Sequence, residues 1–373
     1  MNALLIAAFL SLVMPAPQSV WPLWTHYAEH FIQDDGRVAD HDRGDLTTSE
    51  GQSYAMFFAL VANDQDRFDR LYQWTAFNLA DGKLDARLPA WSWGTRPDGS
   101  RGITDPNSAS DGDLWIAYDL LQAGRLWKHP EYASAGRALL TLIAQKEVCH
   151  THGLSALKPA QSGFEHDGTV VLNPSYMPLF LLHAAAREQP QGPWLQVASS
   201  LPSLLHGGSL NGLAPDWLQV TRDGTISPVA GPDKANDSPS GSYDAIRVYL
   251  WSGLTPEGTP GRDALLKELT GMMMYMKSHP LPPEFALNKP PYFKGAGPVS
   301  YSAALIPFLQ ASRASGPATQ QQKRLDLSWS PRSELYGDPP RYYDQNLAMF
   351  ALGYTEHRYR FRINGDLEVS WQR

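Results

Sequence analysis

Three short stretches of this 373-residue chain set carboxylates where chemistry could use them. Glu50 heads TTSEGQSYAMFFAL, residues 47–60. Tyr54, Phe57, Phe58 and Val61 then follow at the spacing of a core-facing helical stripe. Glu50 stands four residues before Tyr54, so it shares that inward face. A carboxyl set against aromatics in a partly dry cleft is disfavoured in its charged form, and its pKa rises. That is the environment a proton donor at neutral pH requires. SYDAIR, residues 242–247, supplies Asp244 with Arg247 one helical turn on. An adjacent guanidinium favours the ionised carboxylate. One acid that keeps its proton and one that stays charged is the division of labour in glycoside hydrolysis. SASDGD, residues 108–113, adds Asp111 and Asp113.

Each acid has a plainer use. Thr47-x-x-Glu50 fits a capping box, in which Glu50 only closes a helix terminus, and Ser49-x-x-Gln52 fits one equally well and leaves Glu50 free. Spacing does not choose between them. Asp244 and Arg247 could form a surface ion pair, although Val248 and Trp251 place Asp244 near a buried face. Ser-Asp-Gly-Asp is good helix-cap chemistry, and it lacks the spaced ligands of a calcium loop. PAWSWG offers Trp91 and Trp93 as stacking surfaces in a loop, and PDW offers Asp216 and Trp217; the alternative for the indoles is a cover over the core. Cys149 is the only cysteine, so an intrachain disulfide is impossible. Cys149, His150 and His152 lack a complementary ligand at a recognised zinc spacing. They read as a helix end with solvent-facing histidines.

The elements that must position these residues recur along the chain. Six times a polar or tyrosine-bearing cluster opens an apolar helical run: 49–54, 108–113, 173–176, 242–247, 299–304 and 341–346. Amphipathic helices lie between them, as in 65–77 and 133–146, and MMMYM at 272–276 reads as core-like helix. Six apolar helices alternating with six amphipathic ones suggest two concentric rings, with all six polar clusters meeting at one end. YRFRI-NG-DLEVSW (359–371) and WLQVTRDGTISPV (217–229) read as hairpins. The fold expected is all-α, with a few short hairpins in loops and near the C-terminus. Net charge is −7 with no long basic run, which argues against a nucleic-acid partner. The 12 Trp, 16 Tyr and 13 Phe suit stacking against flat, weakly charged ligands such as sugars. Residues 1–19 read as a signal peptide, and no other segment is apolar and long enough to span a membrane. Residues 20–373 then form one domain.

ASDGDLWIAYDLLQAGRLW, residues 109–127, resembles the signature of glycoside hydrolase family 8. Its A-[ST]-D-[AG]-D core stands as Ala109 to Asp113, its I-A pair as Ile116-Ala117, and its A-x-x-x-W as Ala123 to Trp127. Asp119 departs from the pattern, which expects Ser or Ala. TTSEGQSY and SYDAIRVYLW resemble other catalytic segments of the family, and the similarity runs over nearly the whole mature chain. It is greatest to periplasmic members that accompany bacterial cellulose synthase. The resemblance implies an (α/α)6 barrel and endo-hydrolysis of β-1,4-glucan with inversion, without cofactor or metal. It makes Glu50 the general acid, Asp244 the general base, and Asp111 the aspartate that holds and distorts the sugar. It points to Tyr343, in preference to Tyr342, as the group positioning the water. Trp91, Trp93, Tyr176, Asp216, Trp217 and Arg247 complete the expected substrate-binding set. Partners would be glucan chains and the cellulose synthase export machinery. Another β-1,4 glycan (chitosan, xylan or lichenan), or a catalytically silent glycan-binding subunit, are the alternatives.

Overall fold

A computed structural model describes residues 20–232 and 238–372; the expected signal peptide lies outside them. Thirteen helices dominate these residues. Six of them form an inner ring: α2 (Ser49–Val61), α4 (Ser110–Leu126), α6 (Leu179–Glu188), α8 (Ala245–Leu254), α11 (Val299–Ala311) and α13 (Tyr342–Thr355). They are buried on almost every face, as their near-continuous apolar sequences require. The outer layer is α1 (Pro22–Phe31), α3 (Gln65–Ala80), α5 (Pro130–Lys146), α7 (Trp194–Gly208), α9 (Arg262–Glu268) with α10 (Thr270–Ser278), and α12 (Ser315–Leu327). Each outer helix returns the chain to the end of the ring where the next inner helix starts. The two-ring expectation holds, with two refinements. The sixth outer position is filled by α1, which precedes the first inner helix and packs on α13. The fourth is split into α9 and α10, and within α10 Met272 and Met276 are buried while Met274 is exposed, so MMMYM is amphipathic.

Aromatic side chains fill the ring. Phe350 of α13 lies 5.1 Å from Tyr54 and 5.3 Å from Phe57 of α2, 5.2 Å from Trp115 of α4, and 5.0 Å from Trp251 of α8, ring centre to ring centre. Aromatic pairs of this kind, edge-to-face for Tyr54 and Trp251 and stacked for Phe57, add about 0.5–1.5 kcal/mol per pair beyond the area buried. It makes a solid floor beneath the helix N-termini. The opposite end is closed by the hairpin 359–361/367–369, where Phe361 stacks on Phe180 at 3.8 Å and Tyr359 meets Phe57 at 5.0 Å. Its turn glycine, Gly365, has φ +83° and sits so close to the Phe180 carbonyl that a Cβ would overlap it.

The remaining strands form short sheets in the loops. One pairs 47–48, 92–95 and 101–105; another pairs 165–166, 169–172, 217–220 and 226–229; a third pairs 240–241, 285–287 and 293–294. The 217–229 hairpin is thus part of a larger sheet than its sequence shows. Two local expectations fail. Asn173 to Tyr176 forms a 3-10 turn, and α6 starts only after Pro178. The segment 148–151 is a strand paired with 154–157, not a helix end. Strand alternation turns Cys149 inward and leaves His150 exposed, which splits the cluster across two faces. No helix of the described residues is long and apolar enough to cross a membrane.

Candidate active site

The N-terminal ends of three inner helices, α2, α8 and α13, meet at one cavity of about 340 Å³, lined by residues that include Asp40, Glu50, Tyr54, Tyr243, Asp244, Arg247 and Tyr343. Glu50 enters it from the first turn of α2. Neither capping box forms. The N-cap is Thr48, whose hydroxyl accepts the Gly51 N–H at 3.1 Å. Thr48 is fixed there because Thr47 and Thr48 pair with Trp93 and Ser92 across the sheet. Gln52 turns away from the cleft; its amide accepts the Val38 N–H at 2.6 Å and donates to Thr75 Oγ1 at 3.0 Å. Glu50 is therefore free of the helix end, by a different route from the one its neighbours suggested. Its Oε1 accepts the Trp91 indole N–H at 3.2 Å, and its Oε2 is buried with no donor among the described residues. Burial first, then the nearby charge of Asp111, pushes its pKa up to about 7; Arg247 and the Trp91 N–H pull the other way.

Asp244 reaches the same cavity from the start of α8. Helices α2 and α8 stand three places apart in the ring of six, so the two carboxyls approach the cavity from across it. Arg247 ties the acids together. Its Nη2 donates to Asp244 Oδ1 at 2.6 Å, and its Nη1 donates to Asp111 Oδ2 at 2.8 Å and to the Tyr54 hydroxyl at 3.1 Å. The two bonds to carboxylates have the short distances of charge-assisted bonds. Arg247 is buried and Asp244 partly exposed, so this is no surface pair. Asp111 sits behind Arg247, 2 % exposed, and does not line the cavity. It is not the N-cap of α4, which is Ala109, although its Oδ1 accepts the Gly112 N–H of the first turn at 2.9 Å.

The aromatic residues divide. Trp91 touches Glu50. Trp93 does not offer a free face: the guanidinium groups of Arg37 and Arg101 stand 5.4 and 4.9 Å from its ring centre, and Trp74 packs edge-on. A bulge between Ser92 and Trp93 separates the two indoles that their spacing would put on one side. Tyr176 lies under Arg247, with the guanidinium 5.5 Å from its ring, and meets Trp217 at 6.3 Å. Trp217 in turn stacks on Phe164 at 5.9 Å. Tyr343 and Tyr342 both line the cavity; the Tyr343 hydroxyl donates to the Tyr243 carbonyl, and the Tyr342 hydroxyl lies against Gly51 of α2. A second cavity of about 380 Å³, lined by Asp40, Asp42, Arg43, Arg341 and Tyr343, continues the first. The two cavities together thus run from Glu50 and Asp244 to Tyr243 and Arg341, and Tyr176, Trp217 and Phe164 line neither. Asp216 is not part of either. It is 7 % exposed, and its carboxylate is taken up by donors from residues 240–245, so the sugar contact expected of it is corrected to a buried internal one.

A further pair of acids lies behind the site. Asp113 and Glu147 are fully buried, and both Asp113 oxygens and Glu147 Oε2 have no hydrogen-bond partner among the described residues. Burial raises both; the nearby Glu147 raises Asp113 further, and the charge of Asp111 helps push Glu147 up to about 8, although the Ser108 hydroxyl donates to Glu147 at 2.6 Å.

Two carboxyls in one aromatic-walled cavity, one built to hold a proton and one beside a guanidinium, are the equipment of a glycosidase. The family model for glycosyl hydrolases family 8 matches residues 2–357. The chain belongs to that family. This family 8 chain is 42 % identical over 372 residues to an endoglucanase of Xanthomonas axonopodis pv. citri (strain 306), covering 99 % of this chain and 94 % of that one. It is 40 % identical over 353 residues to an endoglucanase of Escherichia coli (strain K12), covering 94 % and 91 %. Its fold matches the crystal structure of an endo-1,4-D-glucanase from Vibrio fischeri ES114 with a TM-score of 0.84 at 39 % identity, over 95 % of this chain and 100 % of that one. The (α/α)6 architecture implied by the signature is the one observed. Phe164, Tyr243 and the Asp113–Glu147 pair were not foreseen in this family 8 enzyme. Tyr243 carried a signal as the residue before Asp244, and Asp113 as the second acid of SASDGD.

Proposed function

We propose that this family 8 hydrolase cleaves internal β-1,4-glucosidic bonds of cellulose-type glucan with inversion, outside the cytoplasmic membrane, beside a cellulose synthase export machinery. The observation that carries the reading is Glu50: its pKa is raised to about 7, one oxygen is held by Trp91, the other is undonated, and Asp244 lies across the ring. Glu50 gives its proton to the departing glycosidic oxygen. Asp244, with Arg247 as counter-ion, takes a proton from a water that attacks the other face of the sugar. An inverting pair stands about 6.5–9.5 Å apart to leave room for that water. Arg247 also fixes Asp111 and Tyr54, which orients the assembly as one unit. The lining continues past the carboxyls into the second cavity, which suits a polymer lying across the site. The relatives of about 40 % identity named as endoglucanases support glucan as the substrate. The apolar leader at 1–19 supports export, and likeness to synthase-associated members supports the cellular setting.

Reducing-end release from carboxymethylcellulose, chitosan and xylan tests the substrate, with cellulose-type glucan expected to be cut fastest. Glu50→Gln is expected to lower kcat on it about 10²–10⁴-fold, the range of general acid–base catalysis. NMR of the first product should show the α-anomer. An unchanged rate in Glu50→Gln would remove the general acid, and a β-anomer first would remove the water-activating role of Asp244.

A further inference from the structure

Asp244 occupies the N-cap position of α8, yet its side chain caps nothing. An aspartate there ordinarily turns its carboxylate onto the N–H groups of the first helical turn. Here φ −82° and ψ −51° already make Asp244 helical, and its carboxylate points to Arg247. The exposed N–H groups go elsewhere. Asp216 Oδ1 accepts the N–H of Ser242 at 2.6 Å, of Asp244 at 3.1 Å and of Ala245 at 2.9 Å. Its Oδ2 accepts the hydroxyls of Ser240 at 3.1 Å and Ser242 at 2.7 Å. Three main-chain N–H groups converging on one oxygen form an anion-holding concavity. The anion is a side chain 28 residues back in the sequence from Asp244.

The surrounding backbone is built for this. The Asp216 N–H donates to the Ser240 carbonyl at 2.7 Å, so the two segments are locked on both sides. Gly241 lets them approach, since a Cβ there would overlap the Ala214 carbonyl. Asp216 is buried, and five protein donors saturate it, so a sugar has nothing to add.

We propose that Asp216 is a positioning residue for the hydrolytic base: it caps α8 from another loop, so that Asp244 keeps its own carboxylate for the water. The proposal rests on Asp244 being the base argued above. Without the cap the 240–245 segment loses its anchor, and the base moves relative to the sugar. A displacement of about 1 Å at a reacting group can cost about 10²-fold in rate.

The test is steady-state kinetics on cellohexaose with thermal melting alongside, for Asp216→Ala, Asp216→Asn and Asp244→Asn. Asp216→Ala should lose kcat about 10²-fold with KM little changed, because the groups that grip the sugar are intact. Asp216→Asn keeps Oδ1 for the three N–H groups, and the two serine hydroxyls can rotate to accept from its amide, so it should recover most of the lost kcat. Asp244→Asn should be the least active of the three. Unchanged kcat in Asp216→Ala overturns the proposal. So does a rise in KM with kcat intact, which would make Asp216 a sugar contact after all. So does an asparagine variant that melts like the wild type yet is as slow as Asp244→Asn, a comparison that still decides if the alanine variant does not fold. An active Asp244→Asn enzyme would instead overturn the base assignment itself, which separates the two failures.

Discussion

Replacing Trp91 by phenylalanine removes the indole N–H that Glu50 Oε1 accepts and leaves much of the aromatic surface in place. That N–H stabilises the ionised form of Glu50, so its loss must raise the pKa of the acid. A hydrogen bond to a charged group contributes about 1.5–3 kcal/mol. At 3.2 Å this one is longer than the 2.7–2.9 Å usual for charge-assisted bonds, so the lower end applies. About 1.5 kcal/mol is about one pKa unit, at 1.36 kcal/mol per unit. Glu50 would then hold its proton up to about pH 8 instead of about 7. The assay is kcat/KM on cellohexaose across the pH range, whose limbs report the coupled acids of the free enzyme. The alkaline limb should move up by about one unit. Any loss of sugar stacking by the smaller ring lowers the plateau without shifting the limb. A limb that stays in place, or moves to lower pH, refutes the assignment of that limb to Glu50 and of the N–H as its modulator.

Two further outcomes follow from buried charges. Arg247→Met strips Asp111 of its only cationic partner among the described residues, in a site 2 % exposed; breaking a buried pair costs about 3–5 kcal/mol, so urea unfolding should show that loss together with greatly reduced turnover, and undiminished stability would contradict the role given to Arg247. Asp119 is fully buried in mid-helix with no donor to either oxygen among the described residues, and burial raises its pKa well above the usual range. Below about pH 4 folded and unfolded chains both hold that proton; as pH rises the unfolded chain releases it and the folded one does not, so stability falls toward the folded-state pKa. Asp119→Asn, which does not titrate, should therefore gain stability relative to wild type as pH goes from about 4 to 7, by about 1–3 kcal/mol, and an equal difference at both pH values would refute the account.

The parts of this enzyme that were legible in its sequence are those written locally. Each inner helix announces itself by a polar cluster before an apolar run, and the ring follows from counting them. Glu50 and the Asp244–Arg247 pair were legible because one helical turn fixes which side chains share a face. What was not legible depends on segments distant in the chain. Thr48 caps α2 because a strand 45 residues on sets its register, and no spacing rule contains that. Trp93 loses its ring faces to Arg37 and Arg101, brought there by the same small sheet. Asp216 reads as a cleft acid beside Trp217, and only the approach of residues 240–245 shows where its oxygens go.

The stopper at the far end of the ring has a bearing on how the chain reaches this state. Phe361 and Tyr359 fill the space under Phe57 and Phe180, and the Tyr118 hydroxyl donates to Gly365 across 247 residues. Leu367 likewise bonds Gln122 across 245 residues. A barrel emerging N-terminus first therefore has an open base until its last dozen or so residues arrive. Its helices can form as they appear, but the ring cannot be sealed in the order of synthesis. Closure waits for the whole chain, and contacts so remote in sequence make it the slow step. Such a chain is open and pliable for as long as it is incomplete.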